Sequence, residues 1–232
     1  MVFDIAFFLI IFYMIIPYIL SFIVGWKVFR KGKEQKEVAF TFDDGPDPTY
    51  TEKLLNLLAQ YQIKATFFVV GSKAEKYPEL ILRMHNEGHL IGIHNYVHHS
   101  NWLMLPWKIK NELKQSALTV EKITGIKPTY YRPPWGLLNL FDFFIHKDFH
   151  IVLWSLMVGD WRIKGGSERI SRNLLAKIQP GDVVLLHDSG ETLGANSDAP
   201  YYTIEALKTV FKELKHQGYI YRRIDNMIID KK

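Results

Sequence analysis

Residues 38–46 read VAFTFDDGP. Val38 to Phe42 is a short apolar run rich in β-branched and aromatic residues, and it predicts a buried strand. The run ends in two adjacent carboxylates, Asp43 and Asp44, followed at once by Gly45-Pro46. A turn accounts for one Asp, because Asp bonds its own backbone and Gly and Pro set turn dihedrals. It does not account for two. Adjacent like charges repel, so this strand end needs a positive neighbour: an Arg, a Lys, a proton or a metal ion.

Further strands are predicted at 65–70, 89–94, 129–132, 151–156, 182–187 and 219–224. Amphipathic helices are predicted between them at 49–61, 72–86, 106–124, 167–178 and 203–216. Ser72 is placed to cap the second helix, with Glu75 three residues on, and Gly88 follows its end. Strands alternating with helices imply parallel pairing. Seven such units predict an α/β domain, a distorted (β/α)7 TIM-like barrel, with a doubly wound open sheet as the alternative. Asp43, Asp44, His94, Arg132 and His187 all fall at predicted strand carboxyl ends, and Asp160 lies just past one. Active sites form along that edge in both architectures.

The 232 residues are 48% hydrophobic and 23% charged, which suits one compact domain with an addition. The addition is at the start. No charged residue occurs from Ile5 to Trp26, a stretch long enough to cross a hydrocarbon core of roughly 30 Å as a helix. With no small-residue cleavage site, it reads as a retained single-pass anchor, giving a lipid bilayer as partner through residues 5–26. The expected organisation is an anchor at 1–26, a basic juxtamembrane linker at 27–36 and one domain at 37–232. Lys27, Arg30, Lys31 and Lys33 follow the span, and the positive-inside bias alone would put the domain in the cytoplasm. The absence of Cys excludes disulfides and thiolate metal sites. The formal charge of +5 comes without any nucleic-acid-binding signature, so no nucleic-acid partner is expected.

His94 and His98 are spaced i, i+4. If the strand runs into a helix here, both imidazoles share one face and are close enough to share an ion. With a carboxylate from the Asp pair they would form a facial site of three protein ligands, which leaves positions open.

TFDDGP, H-x-x-x-H, RPPWG, GDW and LLHD occur in this order at predicted strand ends. Together they resemble the five motifs of the polysaccharide deacetylase family, the NodB-homology or carbohydrate esterase family 4 domain, over about residues 37 to 226. The resemblance implies a divalent metal and removal of N-acetyl groups from an amino-sugar polymer: peptidoglycan, a chitin-like chain or poly-N-acetylglucosamine. It implies Asp44, His94 and His98 as metal ligands, for Zn or for Co, Ni or Mn, since N/O ligation does not choose sharply. It implies Asp43 as general base held by Arg132, and His187 as general acid held by Asp160. The backbone N–H of Trp135 would donate to the oxyanion, and Trp161 and Leu185 would form the acetyl-methyl pocket. Gly45 and Pro46 are expected to turn the chain so that both carboxylates serve one cleft.

There are departures from the family pattern. Asn95 stands where Ser or Thr is usual, and Met157 where Asp is frequent. The inserted segment 189–202 reads as a loop over the cleft that shapes substrate choice. An O-acetyl esterase with the same site, or a non-catalytic carbohydrate-binding member of the fold, are the competing readings. Because cell-wall glycans lie outside the cytoplasmic membrane, the expected location is the cell membrane with the domain facing outward, against the positive-inside bias.

Overall fold

The structure is a computed structural model that describes residues 7, 8, 10–102 and 104–229, without the side chains of 146 and 147. Among the described residues, nine strands form one sheet: β1 (Val28–Phe29), β2 (Glu37–Asp43), β3 (Thr66–Val69), β4 (Leu90–Ile93), β5 (Tyr130–Tyr131), β6 (His150–Val152), β7 (Leu156–Met157), β8 (Asp182–His187) and β9 (Ile220–Tyr221). All named pairs are parallel, in the order β1-β6-β5-β4-β3-β2-β8-β7, with β9 also on β2.

This is a half-barrel, which corrects the expectation of a closed (β/α)7 barrel. The expected strand 151–156 is two strands. β6 pairs with β5 on one side and β1 on the other, whereas β7 pairs with β8 at the opposite end of the sheet. Because β1 occupies the outer edge of β6, that edge is not available to close a ring. Leu153 N–H still turns to Phe29 O at 2.8 Å while Ser155 N–H turns to Val183 O at 3.0 Å, so residues 153–155 step from one sheet end to the other.

The period of two in β2 sorts the molecule into two faces. Val38, Phe40 and Phe42 enter the large core beneath the helices, with Phe40 edge-on to Phe211 at 5.1 Å. Ala39, Thr41 and Asp43 take the other face, where a smaller cluster of Phe29, Phe68, Val152 and Val183 meets Ile224 and Met227 of the last helix. Helices run over Thr51–Gln60, Gly71–Lys76, Pro78–Asn86, Pro106–Thr124, Gly166–Lys177, Ala199–His216 and Ile224–Ile229. The predicted helix 72–86 is broken at Tyr77-Pro78, where the proline begins a new helix, and Ser72 lies inside the first piece without capping it. Among the described residues, segment 140–147 is a 3-10 helix capped by Asn139 and Asp142.

The transmembrane expectation is also corrected. Among the described residues, no helix is long and apolar enough to cross a membrane; Ile5, Ala6 and Leu9 of the expected span lie outside them. Residues 11–24 are a π, α and π succession that ends at Gly25, whose φ of 73° is left-handed. This segment packs on the domain. Tyr13 Oη donates to Met104 O at 2.7 Å, Tyr18 meets Trp102 at 6.2 Å, and Phe22 meets Trp154 at 5.5 Å. Pro17 and Ser21 are buried on the packed side. The uniformly apolar sequence has no polar face that would signal such packing. The residues expected as a linker contribute β1 to the sheet.

Candidate metal-dependent active site

A cavity of about 730 Å³ opens at the carboxyl ends of the strands. Asp43, Asp44, His94, His98, Trp135, Trp161, Leu185 and His187 line it. Arg132 and Asp160 do not line it; they sit behind, each bound to a lining residue.

Asp43 ends β2 on the same face as Thr41. Arg132 Nη1 donates to Asp43 Oδ1 at 2.7 Å and to Thr41 Oγ1 at 2.8 Å, and its Nε and Nη2 reach Val152 O and Leu153 O at 3.1 Å. The guanidinium lies 4.2 Å over the Phe68 ring. That ring occupies the space above Gly92, where a Cβ would come within 2.7 Å of it. All three nitrogens of this fully buried cation therefore donate, to four acceptors in all, as burial requires.

Asp44 follows Asp43 and would face the other way in a strand. Its φ of 75° swings it back. The reorientation occurs at Asp44 itself, so the expected turn lies one residue earlier than Gly45-Pro46. Gly45 has a different necessity: a Cβ there would lie 2.3 Å from the Asp188 carboxylate. Burial pushes the Asp44 carboxyl up, but the two imidazoles and the charge of His187 hold it well below the usual range.

His94 directly follows β4, and its Nδ1 is 2.6 Å from Arg132 O, which leaves Nε2 facing Asp44 Oδ1 at 3.4 Å. His98 Nε2 lies 3.1 Å from the same oxygen. Burial lowers the His98 imidazole below its ordinary value, against the pull of Asp44, which favours the neutral form a metal needs. The convergence does not use a helical i, i+4 face. Residues 94–99 form a loop in which Asn95 adopts φ 60°, a conformation Asn tolerates better than Ser or Thr. Asn95 is also wired in: Nδ2 donates to His99 O at 3.1 Å and Asn101 Oδ1 at 2.8 Å, and Tyr131 Oη donates to its Oδ1 at 3.1 Å. Glu112, missed in the sequence, accepts from the Tyr96 and Val97 N–H groups at 3.0 and 2.8 Å. Its signal was an acidic residue on the apolar stripe of Ile109, Leu113, Ala117 and Val120.

These three residues suit a metal. Ligand atoms of Asp44, His94 and His98 lie within 4.8 Å of one another. Asp44 Oδ1 is buried with no hydrogen bond among the described residues, yet faces both Nε2 atoms. A buried charged oxygen left this way is costly unless a cation serves it. The donor set, two imidazoles and one carboxylate, suits a borderline divalent ion.

His187 ends β8 in register with Asp43, on the same face as Leu185. Its Nδ1 is 3.0 Å from Asp160 Oδ1 and its backbone N–H donates to Asp160 Oδ2 at 2.8 Å. Burial pulls the imidazole down, but Asp160, then Asp44 and Asp43, overcome it and raise it to about 10. Two supports went unread in the sequence. Thr203 Oγ1 donates to Asp160 Oδ2 at 3.2 Å, and Arg169 bonds Val158 O, Gly159 O and Arg162 O at 2.9, 2.8 and 3.0 Å, fixing the loop that carries Asp160. Trp161 stands edge-on to His187 at 5.5 Å. Trp135, with φ 55°, stands edge-on to His98 at 4.3 Å. Met157 pairs with Leu185 in register and lines the cavity, so His187 relies on Asp160.

The segment after LLHD reaches the cavity through Thr192, Leu193, Gly194 and Ala195. Thr192 Oγ1 donates to Asp44 Oδ2. Trp102 and Trp107 are not among the lining residues.

The family model for polysaccharide deacetylases matches residues 30–140. A peptidoglycan-N-acetylglucosamine deacetylase of Bacillus cereus is 37% identical over 78% of this chain, which spans 64% of that relative's length. A second protein of the same name and organism is 35% identical over 88% of this chain and 93% of its own. The crystal structure of a peptidoglycan N-acetylglucosamine deacetylase with a bound N-hydroxybenzamide superposes with a TM-score of 0.81 at 31% identity, covering 89% of this chain and 95% of that one.

Proposed function

Since the chain belongs to the polysaccharide deacetylase family, a family of metal-dependent carbohydrate esterases, we propose that it hydrolyses N-acetyl groups on an amino-sugar polymer, with peptidoglycan N-acetylglucosamine foremost. One observation carries the reading: the two adjacent carboxylates have different partners. Asp43 takes a hydrogen bond from Arg132 on Oδ1 and keeps Oδ2 free of it, whereas Asp44 Oδ1 faces two imidazole nitrogens and has no hydrogen bond among the described residues.

A divalent ion held by Asp44, His94 and His98, zinc or its Co, Ni or Mn equivalents, supplies Lewis acidity and an acidified water there. The chain's own groups do the rest. Asp43, oriented by Arg132, takes the proton of the attacking water as it adds to the acetyl carbonyl carbon. The backbone N–H of Trp135 stabilises the oxyanion, and Leu185 and Trp161 hold the acetyl methyl. His187, a cation at neutral pH, gives its proton to the departing amine nitrogen as the C–N bond breaks. Acetate and a free amino sugar result.

Acetate release from a panel of N-acetylated and O-acetylated glycans, after metal restoration, tests this. Release from peptidoglycan or another N-acetylated polymer supports it. Release confined to O-acetyl substrates transfers the site to the esterase reading, and no release from the metal-loaded protein overturns both.

A cell-wall substrate supports a domain at the outer side of the cell membrane. The exposed side chains of Phe7, Phe8, Phe12, Ile19 and Ile23, followed by Lys27, would lie on that surface without crossing it. Protease applied to intact cells should cleave the domain; protection would exclude the outward location.

A further inference from the structure

The loop after β8 crosses the cavity mouth and is held at its base. Lys73 Nζ bonds Ser189 Oγ at 2.7 Å and pairs with Glu191 Oε2 at 2.9 Å. Asn196 N–H donates to Trp161 O at 2.9 Å, and Asn196 Oδ1 accepts from Ile163 N–H at 3.2 Å. Gly190 closes the neck: a Cβ on it would come within 2.4 Å of Asn196 O and Ser197 O. Between these ties the loop presents one hydroxyl inward, Thr192 Oγ1, and it donates to Asp44 Oδ2.

Asp44 therefore has two differentiated oxygens. Oδ1 faces His98 Nε2 at 3.1 Å and His94 Nε2 at 3.4 Å, and Oδ2 is engaged by Thr192. A ligating carboxylate with both oxygens free can rotate or chelate through both, which takes up a coordination position that water or a carbonyl oxygen would use. A donor on the second oxygen prevents that and fixes the first. Hydrogen bonds to metal ligands commonly set affinity in this way.

We propose that Thr192 is a positioning residue for the metal site: its hydroxyl holds Asp44 as a one-oxygen ligand through Oδ1. The inserted loop thereby completes the ligand sphere as well as covering the cleft. The proposal rests on the metal-site reading above and extends it to a residue outside the five motifs.

The test is the affinity of the metal-free protein for Zn²⁺, titrated against a chromogenic chelator with no glycan present. Thr192→Val keeps the shape and removes the donor; it should weaken binding about 10- to 100-fold. Thr192→Ser keeps the donor and should stay within about threefold of wild type. Equal affinity for Thr192→Val and wild type overturns the proposal. So does an equal loss in Thr192→Ser, which would make the methyl group responsible. Melting temperature verifies folding, and Thr192→Ala replaces the Val variant if the latter melts early. Failure here leaves acetate release by the wild type untouched, whereas a wild type that releases no acetate sinks the function and leaves the affinity comparison valid.

Discussion

Arg132 Nη1 lies 2.7 Å from Asp43 Oδ1, and the two side chains are 0% and 4% exposed. The pair joins β5's end to β2's end across the sheet, and the same guanidinium carries two backbone carbonyls. Replacing Arg132 with Met strands a buried carboxylate and those carbonyls together. Loss of about 3–5 kcal/mol is expected, because breaking one side of a buried pair leaves an uncompensated charge. Urea unfolding measures it, and a loss below about 1 kcal/mol, the range of an exposed pair, would contradict the geometry. Arg132→Lys should recover only part, since a point charge cannot serve four acceptors in fork geometry.

His187 is raised to about 10 chiefly because Asp160 opposes the effect of burial. The proton it donates is present below that value and absent above it, so the alkaline limb of kcat/KM should lie well above neutrality. Asp160→Asn removes the charge and leaves burial, which lowers an imidazole. The alkaline limb should then move down by at least about one pH unit. Rate profiles from pH 6 to 10.5 decide this, and an unmoved limb would assign it to another group.

Chelation should abolish activity, and a divalent ion should restore it. A ligand present at a hundredfold excess over its Kd stabilises the folded state by about 2.7 kcal/mol. For a chain of this size, chelation should thus lower the melting temperature by roughly 5–10 °C. Asp44→Ala should melt at one temperature with or without metal. A persistent metal-dependent shift in that variant would place the ion elsewhere.

Asp142 is buried beneath the histidine loop, where it accepts from Asn139 N–H and Asn101 Nδ2 at 2.8 Å. Burial raises its carboxyl to about 7, against those hydrogen bonds. In the unfolded chain it titrates near its ordinary 3.8, so between about 4 and 7 the folded state binds the extra proton. Stability is then fully present below that window and falls as pH rises through it. From pH 4.5 to 8 the melting temperature of the wild type should fall more steeply than that of Asp142→Asn, which has no proton to lose there. Parallel curves would show that Asp142 does not titrate in this range.

Much of the site stood in the linear order of residues. A strand's period of two puts Thr41 and Asp43 on one face and Leu185 and His187 on another strand's equivalent face, and both are as observed. The convergence of polar residues at strand carboxyl ends required only that strands alternate with helices. The errors occurred where local pattern is silent. An apolar run reads alike whether it enters lipid or packs on a domain, and the contacts of Tyr13, Tyr18 and Phe22 are with Met104, Trp102 and Trp154, far away in sequence. Closure of the barrel depended on which strand took the outer edge of β6, and two residues, Val28 and Phe29, decided it.

The adjacent aspartates show the division most clearly. By itself the sequence determined that two carboxylates end a buried strand and that cations must answer them, because like charges side by side are unstable without compensation. Only the tertiary structure decided which partner each receives. Register set Asp43 beside His187 and within reach of Arg132, and a left-handed φ at Asp44 turned the next side chain back toward two imidazoles and the hydroxyl of Thr192. Backbone dihedrals at single residues and strand register are set by packing over the whole domain, so no local stretch of sequence encodes them.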